Sequence, residues 1–370
     1  MNIRPLYPEI DTPALVVDLD VLERNVASMA DLSRRHGIAL RPHTKTHKIP
    51  AIARMQLDAG AAGITVAKLE EAEVMAAAGM RDILIANEVI GPLKMTRITA
   101  LLAAFSDLRL TIAVDSVEGA AELSDAGVKA GKTIPVLIEI DTGLGRAGLP
   151  TPEEVVSLAR HIRLFPGISH QGIVTHEGHV GRDGPLGMKE RSALAADQMR
   201  LAADALRSIG LQCDVLSMGS TPSARFIAVE PGITELRPGT YIFNDRTQVA
   251  LGAATEHDCA LTVLSTVVST RPGLRAILDA GTKSLSSDGL PRFGTYGAIL
   301  GDANAYFSAC SEEHGHLDIS RSERDYAVGD RVHALPNHIC PVVNLSNRVY
   351  GCRGEVVEVE WRVDARGCVR

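Results

Sequence analysis

From residue 13 to about 245, short apolar runs alternate with segments whose apolar residues recur every three or four positions. The first run, PALVVDL at 13–19, predicts a strand. Asp20 then stands where a helix cap is expected, and Leu22, Val26, Met29 and Leu32 mark a helical face that Gly37 closes. Further strands are predicted at IALRP (38–42), GITVA (63–67), DILIAN (82–87), LRLTIAVD (108–115), TIPVLIEID (133–141), SHQGIVT (169–175) and CDVLSMG (213–219). Helical patterns such as IPAIARMQLDAG and KLEEAEVMAAAG separate them. Such alternation implies parallel pairing. Eight units in about 230 residues fit an α/β fold of the (β/α)8 TIM-barrel type over residues 1–250. A doubly wound open sheet is the rival, although no GxGxxG follows the first strand to mark a dinucleotide site. Beyond 250 the texture changes. CALTVLSTVVST (259–270), LRAILDAG (274–281), DRVHALPNHICPVVNL (330–345) and EVVEVEWRV (355–363) are β-branched or alternating, which predicts a C-terminal all-β domain over residues 251–370.

Composition narrows the function classes. The chain has 370 residues, 45% hydrophobic and 22% charged, as expected of a soluble globular protein that needs no disulfide framework. A net charge of −7 disfavours nucleic acid and anionic membranes as partners. No apolar run reaches the roughly 18 residues of a membrane span, and MNIRPLYPEIDTP lacks the pattern of a secretory signal. The six cysteines are scattered, which reads as reduced thiols in a cytoplasmic protein.

Five segments carry candidate chemistry. Arg41-Pro42-His43-Thr44-Lys45-Thr46-His47-Lys48 follows the second strand, at the end that bears catalytic groups in parallel barrels. It reads as a solvated basic loop or as an anion site with a nucleophilic lysine. Gly219-Ser220-Thr221 follows the eighth strand and offers backbone N–H groups and hydroxyls to a phosphate. Gly143-Leu144-Gly145-Arg146 follows the sixth and reads as a ligand-approaching turn or a structural one. Thr175-His176-Glu177-Gly178-His179 follows the seventh, without the HExxH spacing of a metal helix. In Pro336-Asn337-His338-Ile339-Cys340-Pro341, positions i and i+2 of a strand share a face, so His338 and Cys340 could both reach one cation; imidazole with thiolate suits Zn²⁺. The bland alternative is a buried cysteine beside a surface histidine.

Together PHTKTHK, the GxGRxG turn, MGSTPS, ELRPGTYIFND (235–245), ILDAGTKSLSSD (277–288) and PNHICPVVNL resemble, in order, the D-threonine aldolase and D-serine dehydratase family of alanine-racemase-like pyridoxal 5′-phosphate enzymes. The resemblance implies a barrel, a C-terminal β domain, a homodimer, and a D-amino acid substrate. It implies that Lys45 forms the Schiff base and acts as a catalytic base. It places Arg146 near the cofactor's phenolic oxygen, Gly219, Ser220, Thr221 and Tyr241 at its phosphate, and His338 and Cys340 on a divalent metal, zinc before manganese or magnesium. His176 falls where the family's aldolases carry tyrosine and its dehydratases histidine, and His-x-Cys is the dehydratase form of the metal pair. A D-serine or D-threonine dehydratase is therefore expected, with an aldolase as the alternative. A racemase is less expected; it would need a second base such as Tyr306 or Tyr350. Asp279 and Lys283 lie in a family motif without an assignable role.

Overall fold

Strands buried on both faces need near-continuous apolar runs, and such runs build the barrel strands, while a second sheet also takes alternating, half-exposed strands. The computed structural model describes residues 6–370; residues 1–5, the start of the segment read for a signal, lie outside the described residues. In chain order the first strands are β1 (Ala14–Asp18), β2 (Ala39–Leu40), β3 (Ile64–Val66), β4 (Asp82–Glu88), β5 (Arg109–Val114), β6 (Ile134–Glu139), β7 (Ile168–Val174), β8 (Val215–Met218) and β9 (Glu235–Leu236). They are followed by β10 (Leu261–Arg271), β11 (Arg275–Leu278), β12 (Gly297–Ile299), β13 (Asp302–Cys310), β14 (Gly315–Asp318), β15 (Arg331–Pro336), β16 (Arg348–Arg353) and β17 (Val356–Arg362).

One compact unit comprises Ser28–Lys45, Pro50–Gly239 and Cys368–Arg370. Its eight strands run in the order β2-β9-β8-β7-β6-β5-β4-β3, and every pairing is parallel. A parallel bridge between His43 and Thr65 joins the two ends, with the Thr65 N–H donating to the Pro42 carbonyl at 2.8 Å. The sheet therefore closes into the expected barrel. Alternation along the strands separates two apolar sets. Leu84, Ala113, Leu137 and Val174 form one buried cluster. Their neighbours Ile83, Ile85, Ile112, Val136, Ile138 and Ile173 join the larger core with the surrounding helices.

The first expected barrel strand needs correction, whereas the last, at 213–219, is β8 of the barrel as expected. The run at 13–19 forms β1, which lies in the other sheet, antiparallel to β10 and parallel to β16. Leu15, Val16 and Val17 are all buried there, and a central strand of a mixed sheet demands the same apolar run as a barrel strand. The missing barrel strand is β9, only Glu235 and Leu236, too short and too polar to register as a pattern. The helix after β1, Leu19–His36, is capped by Asp18, whose Oδ1 accepts the Val21 N–H at 3.0 Å; Asp20 sits inside its first turn.

The second compact unit takes in residues up to Ala27, Thr46–Ile49 and Thr240–Gly367. Its sheet runs β11-β14-β13-β12-β15-β10-β1-β16-β17. The expected strand at 330–345 is half strand, half helix: β15 stops at Pro336 and Ile339–Leu345 is helical. Pro341 lies in the first turn of that helix, where a missing N–H costs nothing. Among the described residues no helix is long and apolar enough to cross a membrane.

Candidate active site

In the barrel unit, the chain leaving β2 turns at once into a single 3-10 turn, Thr44–Thr46, which presents the half-buried Lys45 at the C-terminal end of the strands. Not all of the basic segment is available for chemistry. Arg41 is held inward, its Nε on Glu235 Oε2 at 2.7 Å and its Nη1 on Asp82 Oδ1 at 2.5 Å. A Cβ at Gly63 would run into that guanidinium, so glycine is the residue that lets the pair form. Arg41 is thus a structural cation, contrary to its reading as part of an anion site. Lys48, in the β-rich unit, is buried with a φ of 56°.

The groups left around Lys45 form an electrostatic set. Burial, then the charges of Lys45, Arg237 and Arg146, hold the His43 pKa well below its usual value. His43 Nδ1 accepts the Lys45 N–H at 3.4 Å. His176, just past β7, is brought to about 4: burial lowers it most, Glu177 opposes, and Lys45, Arg146 and Arg237 lower it further. Two neutral imidazoles therefore stand among three cations, a donor set suited to an anionic aromatic ligand. Arg146 is half exposed, with Nη2 3.4 Å from Glu139 Oε1. Arg237 is buried and donates to Ser217 Oγ at 2.6 Å and to the Thr175 carbonyl.

The Gly219 turn differs from its expected open cradle. Gly219 has a φ of +103°, a conformation suited to glycine. Its N–H and that of Ser220, however, donate to Glu177 at 3.1 and 2.7 Å. Burial would raise the Glu177 pKa, but His176 and the hydrogen bonds from Ser223 and Gly219 hold it down. Ser220 and Thr221 add hydroxyl groups to the turn. Tyr241 is buried in the β-rich unit, in the 3-10 turn Thr240–Ile242.

The β-rich unit holds the second set. His338 stands at the N-cap of Ile339–Leu345 with extended backbone, and Cys340 lies in the first turn. The two side chains meet there by a helix N-terminus and not by strand alternation. Asp288 Oδ2 binds His338 Nδ1 at 2.6 Å. Burial alone would lower the His338 pKa; the negative charge of Cys340, its hydrogen bond, Asp245 and Asp288 raise it to about 10. Cys340 Sγ and Thr46 Oγ1, on the residue after Lys45 in the chain, lie within hydrogen-bond distance at 3.4 Å. Asp245 fixes the loop from below: its Oδ2 accepts the Ile339 N–H at 3.0 Å and its Oδ1 the Gln248 N–H at 2.9 Å. Among the described residues no three His, Cys, Asp or Glu side chains converge as a metal cage. The residues present fit a two-residue site with open positions, with a carboxylate on His338 Nδ1.

Comparison with known proteins sorts these features. The alanine racemase N-terminal domain matches residues 17–247, and a serine dehydratase domain matches residues 260–352. The D-threonine aldolase of Arthrobacter sp. is 36% identical, over 98% of this chain and 94% of its own. The chain belongs to the D-threonine aldolase and D-serine dehydratase family. It is a pyridoxal-phosphate-dependent lyase. The D-threo-3-hydroxyaspartate dehydratase of Delftia sp. is 37% identical, over 90% of this chain and 91% of its own. The crystal structure of D-threonine aldolase from Filomicrobium marinum superposes with a TM-score of 0.90 at 34% identity, covering 98% of this chain and 97% of that one. Structures of the D-threo-3-hydroxyaspartate dehydratase include a histidine-to-alanine variant and a cysteine-to-alanine variant two positions on, the latter in a metal-free form.

The structure also gathers residues of the lyase that sequence reasoning passed over. Arg237 and Asp245 lie in the ELRPGTYIFND segment and Asp288 ends ILDAGTKSLSSD, so the motifs were visible while the roles were not. Asp279 is structural: it accepts from Thr12 Oγ1, Ser265 Oγ and the Thr266 N–H at 2.5, 2.6 and 2.9 Å. Lys283 is exposed and pairs with Glu313 at 2.6 Å. Tyr306 donates its hydroxyl to Asp318 at 2.9 Å.

Proposed function

We propose that the lyase is a pyridoxal 5′-phosphate- and divalent-metal-dependent dehydratase of D-3-hydroxy amino acids such as D-serine and D-threonine, releasing a 2-oxo acid and ammonia. The observation that carries it is the His338–Cys340 pair with Asp288 behind the imidazole. A histidine and a cysteine at the same spacing are the residues varied in the D-threo-3-hydroxyaspartate dehydratase, and loss of that cysteine goes with a metal-free form. When bound, pyridoxal phosphate supplies an electron sink and the divalent ion a Lewis acid.

The residues divide the remaining work. Lys45 holds the cofactor and its Nζ takes the substrate's α-proton. Arg146, and the neutral His176 and His43, hold the cofactor ring by hydrogen bonds without adding imidazolium charge. The Gly219-Ser220-Thr221 turn and Tyr241 take the phosphate, chiefly through hydroxyl groups, since Glu177 occupies two of the amides. Asp288 accepts from His338 Nδ1, which leaves Nε2 for the metal. The Cys340 thiolate makes zinc a better match than manganese or magnesium. The assembly is a homodimer in this reading.

An aldolase reading is favoured by the extent of likeness to the Arthrobacter enzyme. It would break the Cα–Cβ bond and yield glycine and an aldehyde. For either lyase, chelation abolishes turnover and zinc restores it, whereas a racemase keeps its activity. C340A is expected to bind the cofactor but to lose zinc and activity together. Full activity of C340A without added metal would remove the metal from the proposal.

A further inference from the structure

The barrel's interior is apolar on one side, where Leu84, Ala113, Leu137 and Val174 fill it from β4 to β7. Barrels of this type commonly carry such side chains all round. On the other side, alternation turns Ser217, Glu235 and Arg237 inward, while Leu216, Met218 and Leu236 join the core shared with the helices. A ladder of polar contacts runs through this side. Arg109, at the start of β5, lies 3.8 Å from Asp82, which opens β4. Asp82 Oδ1 accepts from Arg41 Nη1 at 2.5 Å, and Glu235 Oε2 accepts from Arg41 Nε at 2.7 Å. Ser217 Oγ donates to Glu235 Oε1 at 2.5 Å and accepts from Arg237 Nη1 at 2.6 Å. Arg237 Nη2 donates to the Thr175 carbonyl, and the Arg237 backbone N–H donates to the Gly219 carbonyl at 3.2 Å. A hydroxyl has one proton, so Ser217 can serve both neighbours only by donating to the carboxylate and accepting from the guanidinium.

We propose that Ser217 and Glu235 are positioning residues for the reaction: they fix the Arg237 guanidinium, which in turn holds the backbone that carries His176 and the Gly219 turn. The inference rests on the reading of His176 and that turn as cofactor ligands. The Thr175 carbonyl belongs to the peptide unit that leads into His176, and the Gly219 carbonyl to the unit that leads into Ser220. One arginine therefore sets the ends of β7 and β8 against each other, beside the Thr175 N–H bond to the Ser217 carbonyl at 3.0 Å. Ser217, Glu235 and Arg237 are all buried. A buried ladder of charges is seldom the most stable filling, since apolar residues of equal volume often serve as well or better. What it supplies is direction, because each charge-assisted bond fixes the angle of the next. Burial lowers the Arg237 pKa, and Glu235 is the foremost charge opposing that effect. Removal of the Glu235 charge thus acts on Arg237 although Ser217 stands between them.

The test strips cofactor from the wild-type, S217A and E235Q holoenzymes and reloads each by titration with pyridoxal 5′-phosphate, following near-visible absorbance, with urea unfolding measured in parallel. S217A is expected to bind the cofactor about tenfold more weakly and to shift its band, the effect of one lost charge-assisted hydrogen bond. E235Q should lose about threefold, because its amide oxygen still accepts a bond while the charge is gone. At saturating cofactor kcat should fall more than KM changes. A purely structural ladder would lower the urea midpoint and leave the dissociation constant and the band where they are. That result in S217A overturns the inference, as does failure of both variants to fold. A wild type that shows no band on reloading overturns the cofactor reading itself, so the two failures look different.

Discussion

Asp245 anchors the loop that carries the proposed metal pair His338 and Cys340, and Asp245→Ala is the sharpest test of that anchoring. The carboxylate is fully buried and caps two helices at once, Arg246–Ala250 through Gln248 and Ile339–Leu345 through Ile339. Loss of one N-cap costs about 1 kcal/mol. Stranding the buried Ile339 N–H adds about 1–3 kcal/mol, because no water reaches it. Burial, which raises the Asp245 pKa, means that alanine recovers some desolvation cost, so the expected net loss is about 2–4 kcal/mol. Asp245→Asn keeps one acceptor and should lose about half as much. Urea unfolding measures the loss, and zinc titration should show weaker binding in the same order, since His338 and Cys340 flank the unanchored amide. An Asp245→Ala protein within about 0.5 kcal/mol of the wild type, the range of an ordinary surface substitution, would refute the reasoning.

Two further outcomes follow from the barrel cluster and the buried histidines. Lys45→Ala should remove the near-visible cofactor absorbance; a surviving band would shift the assignment to Lys48. Below about pH 6.5 the unfolded chain takes up protons that His43, His176 and His333 cannot take up when folded, His176 and His333 being held at about 4 by burial. Stability should therefore be intact above pH 6.5 and fall between 6.5 and 4, by on the order of 1–3 kcal/mol per histidine. His333→Gln should flatten the fall in unfolding midpoint between pH 7 and 5.

Much of this was legible in the chain because both period-2 and period-3.6 patterns are strong in it. The barrel and the β-rich sheet follow from them. The misplacement of β1 has a physical cause, since apolar content reports burial on two faces and not which sheet does the burying. The two-residue β9 shows the converse, for Glu235 is in the barrel to receive Arg41 and Ser217, a pairing that no local pattern displays. Lys45, Arg146, His338 and Cys340 stood out by residue type and position. Arg237 and Asp288 did not, because their partners lie 20 to 62 residues away along the chain and meet them only once folding has placed them, as with Arg237 on Ser217 and Thr175 and Asp288 on His338. The Gly219 turn was visible, but its occupation by Glu177 was not.

The central claim is the dehydratase reaction, and product analysis tests it most directly. Zinc-loaded holoenzyme is given D-threonine, and 2-oxobutanoate and glycine are assayed in the same sample. The account predicts 2-oxobutanoate with equimolar ammonia and no glycine. Glycine with acetaldehyde would contradict it and make the enzyme an aldolase that carries a His-x-Cys pair.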